Sequence, residues 1–195
     1  MYTFRKGIKF MKLLPFEQPR TERSRSTRIC IGRAIFSLME EQPFEEIRIT
    51  DIVRRAGVSR MTYYKYYSSK LDALTDYLNE IILEYDREQK KLHASGFFEQ
   101  SHILHAVTFF ERYSSLFTTL IYTGQYAVLV HAVSNFVESR IRSSSEGATD
   151  YSPYYYVGGL TSVFLKWLQN GKRESAEELT DIICGLIQGT ARHSS

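Results

Sequence analysis

Cysteine, proline and long apolar runs are all scarce in this sequence of 195 residues, which has two cysteines and four prolines. Cys30 and Cys184 are far apart and form no CxxC or clustered His/Cys spacing, so neither a disulfide framework nor a structural zinc site is expected. We expect both thiols to be free and buried, in a protein from a reducing compartment. No apolar run approaches the roughly 20 residues that span a bilayer, so no membrane-spanning helix is expected.

Patterns that carry catalysis are missing as well. The sequence has no nucleophile–base set, no glycine-rich phosphate loop and no metal cluster. His102 and His105 are spaced to share a helix face, but they are not part of a clustered His/Cys spacing. We therefore expect no enzyme, no metal and no cofactor. The N-terminus lacks a sustained apolar core and a cleavage site, which predicts a cytoplasmic protein without a secretory signal.

The periodicity that is present is helical. No alternating strand pattern persists anywhere, whereas apolar residues recur at spacings of three and four. The first helix is predicted to begin near Thr27. Two capping boxes, Ser69 with Asp72 and Ser175 with Glu178, predict the starts of a long fourth helix and of the last helix. The predicted fold class is all-α.

Charge is distributed unevenly along the chain. Residues 1–70 contain 15 Lys and Arg against 7 Asp and Glu, a net charge of +8. Residues 71–195 contain 10 and 15, a net charge of −5. Because the first third of the chain is basic and the remainder is acidic, we predict that only the first part binds a polyanion such as a nucleic acid. The alternative is that the basic residues serve only solubility.

Two short helices separated by a glycine turn are predicted for the stretch ITDIVRRAGVSRMTYYKYYSSK. Thr50 or Asp51 is the expected N-cap of the first helix. Gly57 follows that helix, where a left-handed residue ends it without steric cost. Ser59 is placed to cap a second helix that begins at Arg60. This layout is a helix-turn-helix, whose second helix enters the major groove of DNA.

The same stretch, preceded by IGRAIFSLMEEQPFEEI, resembles the DNA-binding domain of TetR/AcrR-type transcriptional regulators over roughly residues 24–72. Further on, YYYVGGLTSVFLKWLQNGKRESAEELTDIICGLI is similar to the C-terminal domain of a TetR branch common in Firmicutes. That branch includes regulators of dihydroxyacetone metabolism, some of which respond to a protein partner. The resemblance implies a three-helix DNA-binding domain at 24–72 and a helical domain at 73–195 for ligand binding and dimerisation, after a basic arm at 1–23.

Side chains that suit DNA lie mainly on the second helix of the motif. The arginine that opens this helix can reach a guanine edge or a phosphate. The resemblance implies phosphate contacts for Tyr64, Lys70 and Thr50, and a core position for Tyr67. For Tyr63, partial burial and DNA contact remain equal alternatives. The DNA-contact candidates are Thr50, Arg60, Thr62, Tyr63, Tyr64, Lys65, Tyr66 and Lys70.

Aromatic residues are concentrated outside the motif, and several of them are candidates for an effector pocket. An apolar or aromatic ligand is the expected occupant, because the resemblance implies a small-molecule effector in this domain. The alternative is that these side chains are ordinary core residues. The pocket candidates are Phe109, Phe110, Tyr113, Phe117, Tyr122 and Tyr126.

The last two helices are the candidates for a dimer interface. A protein of this size that binds the DNA major groove gains affinity as a homodimer, because its two-fold symmetry matches two half-sites on the DNA. Gly158 and Gly159 would permit close approach of a second chain. The interface candidates are Val157, Leu160, Val163, Phe164, Trp167, Leu168, Ile183 and Leu186. An intrachain core is the alternative for the same side chains.

These patterns predict a transcriptional regulator that binds double-stranded DNA. The resemblance implies a repressor, bound as a homodimer to a palindromic operator and released or modulated by a small-molecule effector. The alternative function is a helix-turn-helix adaptor that acts through a protein partner bound by the C-terminal domain.

Overall fold

The computed structural model describes residues 21–91, 99–141 and 151–191, and within these ranges the chain forms helices and turns without strands. The elements are α1 (Glu22–Met39), a 3-10 turn (Phe44–Glu46), α2 (Ile49–Ala56), α3 (Arg60–Tyr66), α4 (Lys70–Lys91), α5 (Gln100–Glu111), α6 (Ser114–Tyr122), α7 (Tyr126–Ile141), α8 (Ser152–Gln169) and α9 (Ala176–Ala191). The all-α class is confirmed. Most of the predicted basic arm lies outside the described residues.

The first helix begins earlier than its apolar periodicity predicts. It starts at Glu22 rather than near Thr27, and the hydroxyl of Thr21 accepts a hydrogen bond from the backbone N–H three residues on, at 3.3 Å. The added turns are polar, and Arg25 in them pairs with Glu80 of α4 at 2.9 Å. This part of α1 is therefore held by an ion pair to another helix, which hydrophobic periodicity does not reveal.

The second helix also begins before its predicted cap. It starts at Ile49, and the flanking Arg48 makes no side-chain capping bond. Thr50 and Asp51, the expected N-caps, lie inside the first turn, so that prediction is wrong. The carboxylate of Asp51 instead accepts a hydrogen bond from Arg54 at 2.8 Å.

Both cysteines are free, but neither is buried as expected. Cys30 is exposed and Cys184 is half-buried. Cys30 lies on the outer side of α1, because the neighbouring core positions Ile31 and Ile35 turn the opposite face of that helix inward. The apolar helical pattern around each cysteine was therefore insufficient to predict whether its thiol is buried.

The long helix α4 packs against α1 along one part of its length and against α5 and α7 along another. Its predicted capping box is confirmed: the Asp72 N–H donates to the Ser69 hydroxyl at 3.1 Å, and the Ser69 N–H donates to the Asp72 carboxylate at 2.9 Å. The box at α9 is confirmed in the same way by Ser175 and Glu178, at 3.1 and 2.8 Å.

Helices α1 and α4 cross at very close range. A Cβ atom added to Gly32 would lie closer than 3.0 Å to three atoms of the Tyr77 side chain. Only glycine fits this crossing without displacing the tyrosine ring.

A buried ion pair lies at the same α1–α4 junction. Arg28 donates to both carboxylate oxygens of Asp76, at 2.8 and 2.5 Å, and the Tyr67 hydroxyl donates to the same carboxylate at 2.6 Å. Burial opposes the charge on Arg28, but its hydrogen bonds to Asp76 and Tyr67 outweigh that effect and raise its pKa. Since Tyr67 directly follows α3, this cluster connects α3, α1 and α4.

Candidate nucleic-acid interface

The turn between α2 and α3 has the geometry of a helix-turn-helix. Gly57 adopts a left-handed conformation with φ of 66°, and the N–H of Val58 donates to the Val53 carbonyl at 3.1 Å. This closes α2 with a glycine stop. Ser59 then caps α3, because its hydroxyl accepts from the Thr62 N–H at 3.0 Å. Gly57 and Ser59 therefore have the roles predicted for them.

Helix α3 is anchored through two tyrosines one turn apart. Tyr63 has 0% of its surface exposed and Tyr67 has 2%. The Tyr63 hydroxyl donates to the Ser69 carbonyl at 3.0 Å, and burial raises the pKa of that hydroxyl. The core position of Tyr67 is confirmed. Tyr63 is removed from the DNA-contact candidates, because its side chain cannot reach a ligand outside the domain.

The opposite face of α3 is open. Arg60, Met61, Tyr64 and Lys65 follow helical spacing along this face and are all exposed, Met61 to 83% and Tyr64 to 54%. We call these four residues the α3 outer face. It presents two cations, a phenol hydroxyl and one apolar side chain, which together suit phosphates, base edges and a thymine methyl group.

Two of the remaining candidates, Thr62 and Tyr66, are less available than the α3 outer face. Thr62 is half-buried and its hydroxyl lies 2.9 Å from that of Ser59, so it belongs to the cap. Tyr66 is half-buried, with its ring facing the guanidinium of Arg28 at 5.9 Å. Thr50 is exposed in the first turn of α2 and is free to contact a phosphate there.

Lys70 is occupied inside the protein. Its ammonium donates to the carbonyl oxygens of Phe44, Glu45 and Ile47, at 2.5, 2.8 and 3.0 Å. Burial lowers its pKa. An ammonium has three N–H donors, and all three are used here. The predicted phosphate contact of Lys70 is therefore replaced by a structural role: it attaches the 3-10 turn to the start of α4.

A partly open cavity of about 130 Å³ lies in the C-terminal region, lined by α4, α5, α7 and α8 with one residue each from α6 and α9. Phe110 and Phe117 line it, as predicted for an effector pocket. The other four pocket candidates do not. Phe109 is buried elsewhere in the core and Tyr122 is 83% exposed. Tyr113 and Tyr126 are half-buried outside the lining.

Several dimer candidates face inward instead. Val157, Leu160, Phe164 and Ile183 line the cavity. Trp167 is 4% exposed, and its indole N–H donates to the Glu174 carbonyl at 2.9 Å.

Val163 and Leu168 are half-buried against the core, which leaves Leu186, at 54% exposed, as the candidate that is open to solvent. The other large apolar side chains exposed on or directly before these two helices were not candidates. They are Tyr151, Tyr154, Tyr155 and Ile182.

Two features of the site escaped sequence reasoning. Met61 was not a candidate, although its helical spacing with Tyr64 and Lys65 could have identified it. The Arg28–Asp76 pair joins residues from separate helices, and no local pattern indicates it.

Among the described residues, none of the helices has a stretch long and apolar enough to cross a bilayer.

Comparison with known proteins identifies both regions. Residues 31–74 match the model of the bacterial regulatory proteins of the tetR family, and residues 99–189 match the model of a transcriptional regulator C-terminal region. Together these matches cover more than half of the chain. Among curated proteins, no sequence match reaches significance.

Solved structures share the fold at low sequence identity. Lin0861 from Listeria innocua is 18% identical with a TM-score of 0.73, over 92% of this chain and 98% of that one. A TetR transcriptional regulator from Streptococcus agalactiae 2603V is 19% identical with a TM-score of 0.58, over 85% and 95%. The dihydroxyacetone kinase operon activator DhaS is 16% identical with a TM-score of 0.53, over 84% and 95%. The chain belongs to the TetR family of bacterial transcriptional regulators.

Proposed function

We propose that this regulator is a cytoplasmic repressor that binds a palindromic operator as a homodimer and is released by a small-molecule effector. Residues 24–72 would read the DNA, while residues 73–195 would hold the effector and the second subunit. The observation that carries the proposal is the α3 outer face, with Arg60, Met61, Tyr64 and Lys65 exposed on a helix anchored by buried tyrosines.

The assignment of DNA contacts follows from the chemistry of that face. Arg60 and Lys65 supply positive charge for phosphates, which provide sequence-independent affinity. A guanidinium at the start of the helix is also suited to bidentate contact with guanine. Met61 offers an apolar surface to a thymine methyl group. Thr50, in the first turn of α2, is proposed as a phosphate contact beside α3.

The assignment of a dimer interface rests on the exposed apolar side chains of α8 and α9. Tyr155 is 60% exposed, Ile182 47% and Leu186 54%, and Ile182 and Leu186 lie four residues apart on one face of α9. Gly159 and Gly185 are exposed on the same helices, and a Cβ atom at either would meet no atom of this chain. Two copies of this surface would form an isologous interface, as two-fold symmetry requires.

The effector is assigned to the C-terminal cavity because α4 forms part of its wall. Ile82 and Tyr85 of α4 line the cavity. The same helix begins at Lys70, directly after the Ser69 carbonyl that accepts a bond from α3. An occupant that prefers one position of α4 would shift the population of α3 positions, and so change the spacing of the two DNA-reading helices.

DNA binding is tested by gel shift with the duplex that flanks the gene and with a shuffled duplex of the same composition. We expect tighter binding to the flanking duplex, and weaker binding of both duplexes when salt is raised, because counterions compete for the phosphates. Equal affinity for the two duplexes, or no binding, would contradict the proposed operator recognition. A reporter fused to the bound promoter then gives the sign of regulation.

The dimer is tested by Leu186→Glu, with Tyr122→Glu as the matched control. Tyr122 is 83% exposed on α6, outside the proposed interface. Light scattering after size exclusion should give a dimer for the wild type and the control and a monomer for Leu186→Glu, because a charge would be buried unpaired at the interface. A dimer in all three proteins would place the interface elsewhere.

A further inference from the structure

The chemistry of the C-terminal cavity specifies a class of ligand. We infer that it binds a small, uncharged molecule with a single aromatic ring and at most one hydrogen-bonding substituent. This inference rests on the proposed function in one respect, since such a molecule would be the effector.

Size limits the ligand to about one ring. The cavity measures about 130 Å³. An apolar protein cavity of roughly 150 Å³ stays dry and accommodates benzene. A second fused ring or a long acyl chain would extend beyond the lining, out of the side of the cavity that is open to solvent.

The walls favour an aromatic occupant. Tyr85, Phe110, Phe117, Phe136 and Phe164 all line the cavity. They already pack edge to face, with the rings of Phe117 and Phe164 at 5.7 Å and 85°, and those of Tyr85 and Phe136 at 6.2 Å and 77°. An additional ring would find both faces and edges at the separations that aromatic pairs prefer.

The lining offers nothing to a charged group. The residues around the cavity include no Lys, Arg, Asp or Glu in the described part of the chain. Burial lowers the pKa of His102 to about 4, so its imidazole is neutral at pH 7. An ion placed here would lose its hydration without gaining a counter-charge, which is strongly unfavourable.

The polar atoms of the lining already have partners. The Tyr85 hydroxyl and His102 Nε2 lie 2.7 Å apart, and the Thr161 hydroxyl donates to the Val157 carbonyl at 2.5 Å. None of the lining side chains has an unsatisfied buried polar atom among the described residues. A phenol oxygen can both donate and accept, so the Tyr85 oxygen can accept one further bond from a ligand hydroxyl or N–H.

Calorimetric titration of the full chain with toluene, phenol and benzoate at pH 7, without DNA, tests this inference. We expect toluene and phenol to bind and benzoate to bind at least about tenfold more weakly, because its carboxylate has no partner. Benzoate binding as tightly as toluene would overturn the inference. So would the absence of binding by both neutral probes.

Three variants locate the binding. Ala106→Leu fills the cavity and should weaken toluene binding about tenfold or more, the effect expected for crowding by a few methyl groups. Ala127→Leu, on the exposed side of α7, should leave it unchanged. Tyr85→Phe should weaken phenol but not toluene, which also tests the site if Ala106→Leu fails to fold. Toluene binding unaffected by a folded Ala106→Leu would overturn the inference.

Failure of the proposed function is distinguishable from failure of this inference. If neutral rings bind in the cavity but the chain never retains DNA, the ligand class stands and the operator function falls. If the chain retains DNA but benzoate competes equally with toluene, the reverse holds. The titrations contain no DNA, and the gel shifts contain no ring compound, so each result is read separately.

Discussion

The two regions of this regulator are stabilised in different ways. Around the helix-turn-helix, charged side chains connect separate helices: Arg28 with Asp76, Arg25 with Glu80, and Lys70 with carbonyls of the 3-10 turn. Ion pairs also join helices of the C-terminal region, but pairs such as Arg112 with Glu88 are exposed, and an apolar cavity lies at the centre of that region. Directional bonds fix one geometry, whereas a cavity wall held by dispersion can adjust to an occupant. The two regions therefore differ in rigidity. We call the rigid helix-turn-helix region the reader and the proposed effector region, whose cavity wall can adjust, the sensor.

The long helix α4 takes part in both regions. Its first half carries Asp76 and Glu80, which pair with α1, while Tyr85 in its second half lines the cavity. Asp86 then pairs with Lys90 at 2.8 Å and with Arg140 of α7. A displacement of α4 would therefore move side chains in both regions. Substitutions in each region test how differently the two respond.

The largest effect is expected from Arg28→Ala. It leaves the Asp76 carboxylate buried at 1% exposure without its cation, which costs about 3–5 kcal/mol of unfolding free energy. Urea unfolding at fixed protein concentration measures this, since the proposed dimer would make stability concentration-dependent. Arg28→Met combined with Asp76→Leu and Tyr67→Phe should recover most of the loss, because no buried polar group is then left without a partner. If Arg28→Ala lowers the free energy of unfolding no more than the exposed Arg54→Ala does, the buried ion pair does not make the reader rigid.

In the C-terminal region, the burial of His102 should make the free energy of unfolding depend on pH. Burial, followed by the proximity of His105, lowers the pKa of His102 from 6.5 to about 4. Between these values the unfolded chain binds more protons, so stability rises with pH through this window and is constant above it, by about 3 kcal/mol in all. His102→Gln should remove that share and leave the smaller contribution of His105. Identical pH profiles for the two proteins would contradict the burial of a neutral imidazole.

A smaller effect is expected from Gly32→Ala at the α1–α4 crossing. The new methyl group overlaps the Tyr77 ring, and overpacking of this kind costs about 1–3 kcal/mol. Ser26→Ala, on the exposed side of the same helix, is the control and should change stability little. Thermal unfolding of both variants checks the difference. A stabilised Gly32→Ala would mean that the two helices separate easily.

The sequence predicted several features that depend on interactions between neighbouring residues. The helical class, both capping boxes, the stop at Gly57 and the cap at Ser59 depend on residues within a few positions of one another. The core place of Tyr67 came from the family resemblance, and the structure confirms it. Periodicity alone did not find the early start of α1, because the Arg25–Glu80 pair that stabilises it joins two helices.

The candidate site was only partly predictable for the same reason. Tyr63 and Lys70 have chemistry that suits DNA, yet tertiary contacts use both, one in the core and one on three carbonyls. The aromatic residues of the C-terminal region were identified by composition, which cannot tell Phe110, facing the cavity, from Tyr122, facing solvent. Met61 was missed because an apolar residue on a DNA-reading helix resembles a core residue until its neighbours are known.

The central claim is that the α3 outer face reads DNA. Its most direct test is an anisotropy titration of the flanking duplex at several salt concentrations, with wild type, Arg60→Ala and the exposed Arg173→Ala from the α8–α9 turn. The account predicts that Arg60→Ala alone loses affinity, by about 1–3 kcal/mol if it contacts a guanine, or with a salt slope lower by about one if it contacts a phosphate. Equal affinities and slopes for all three proteins would contradict it.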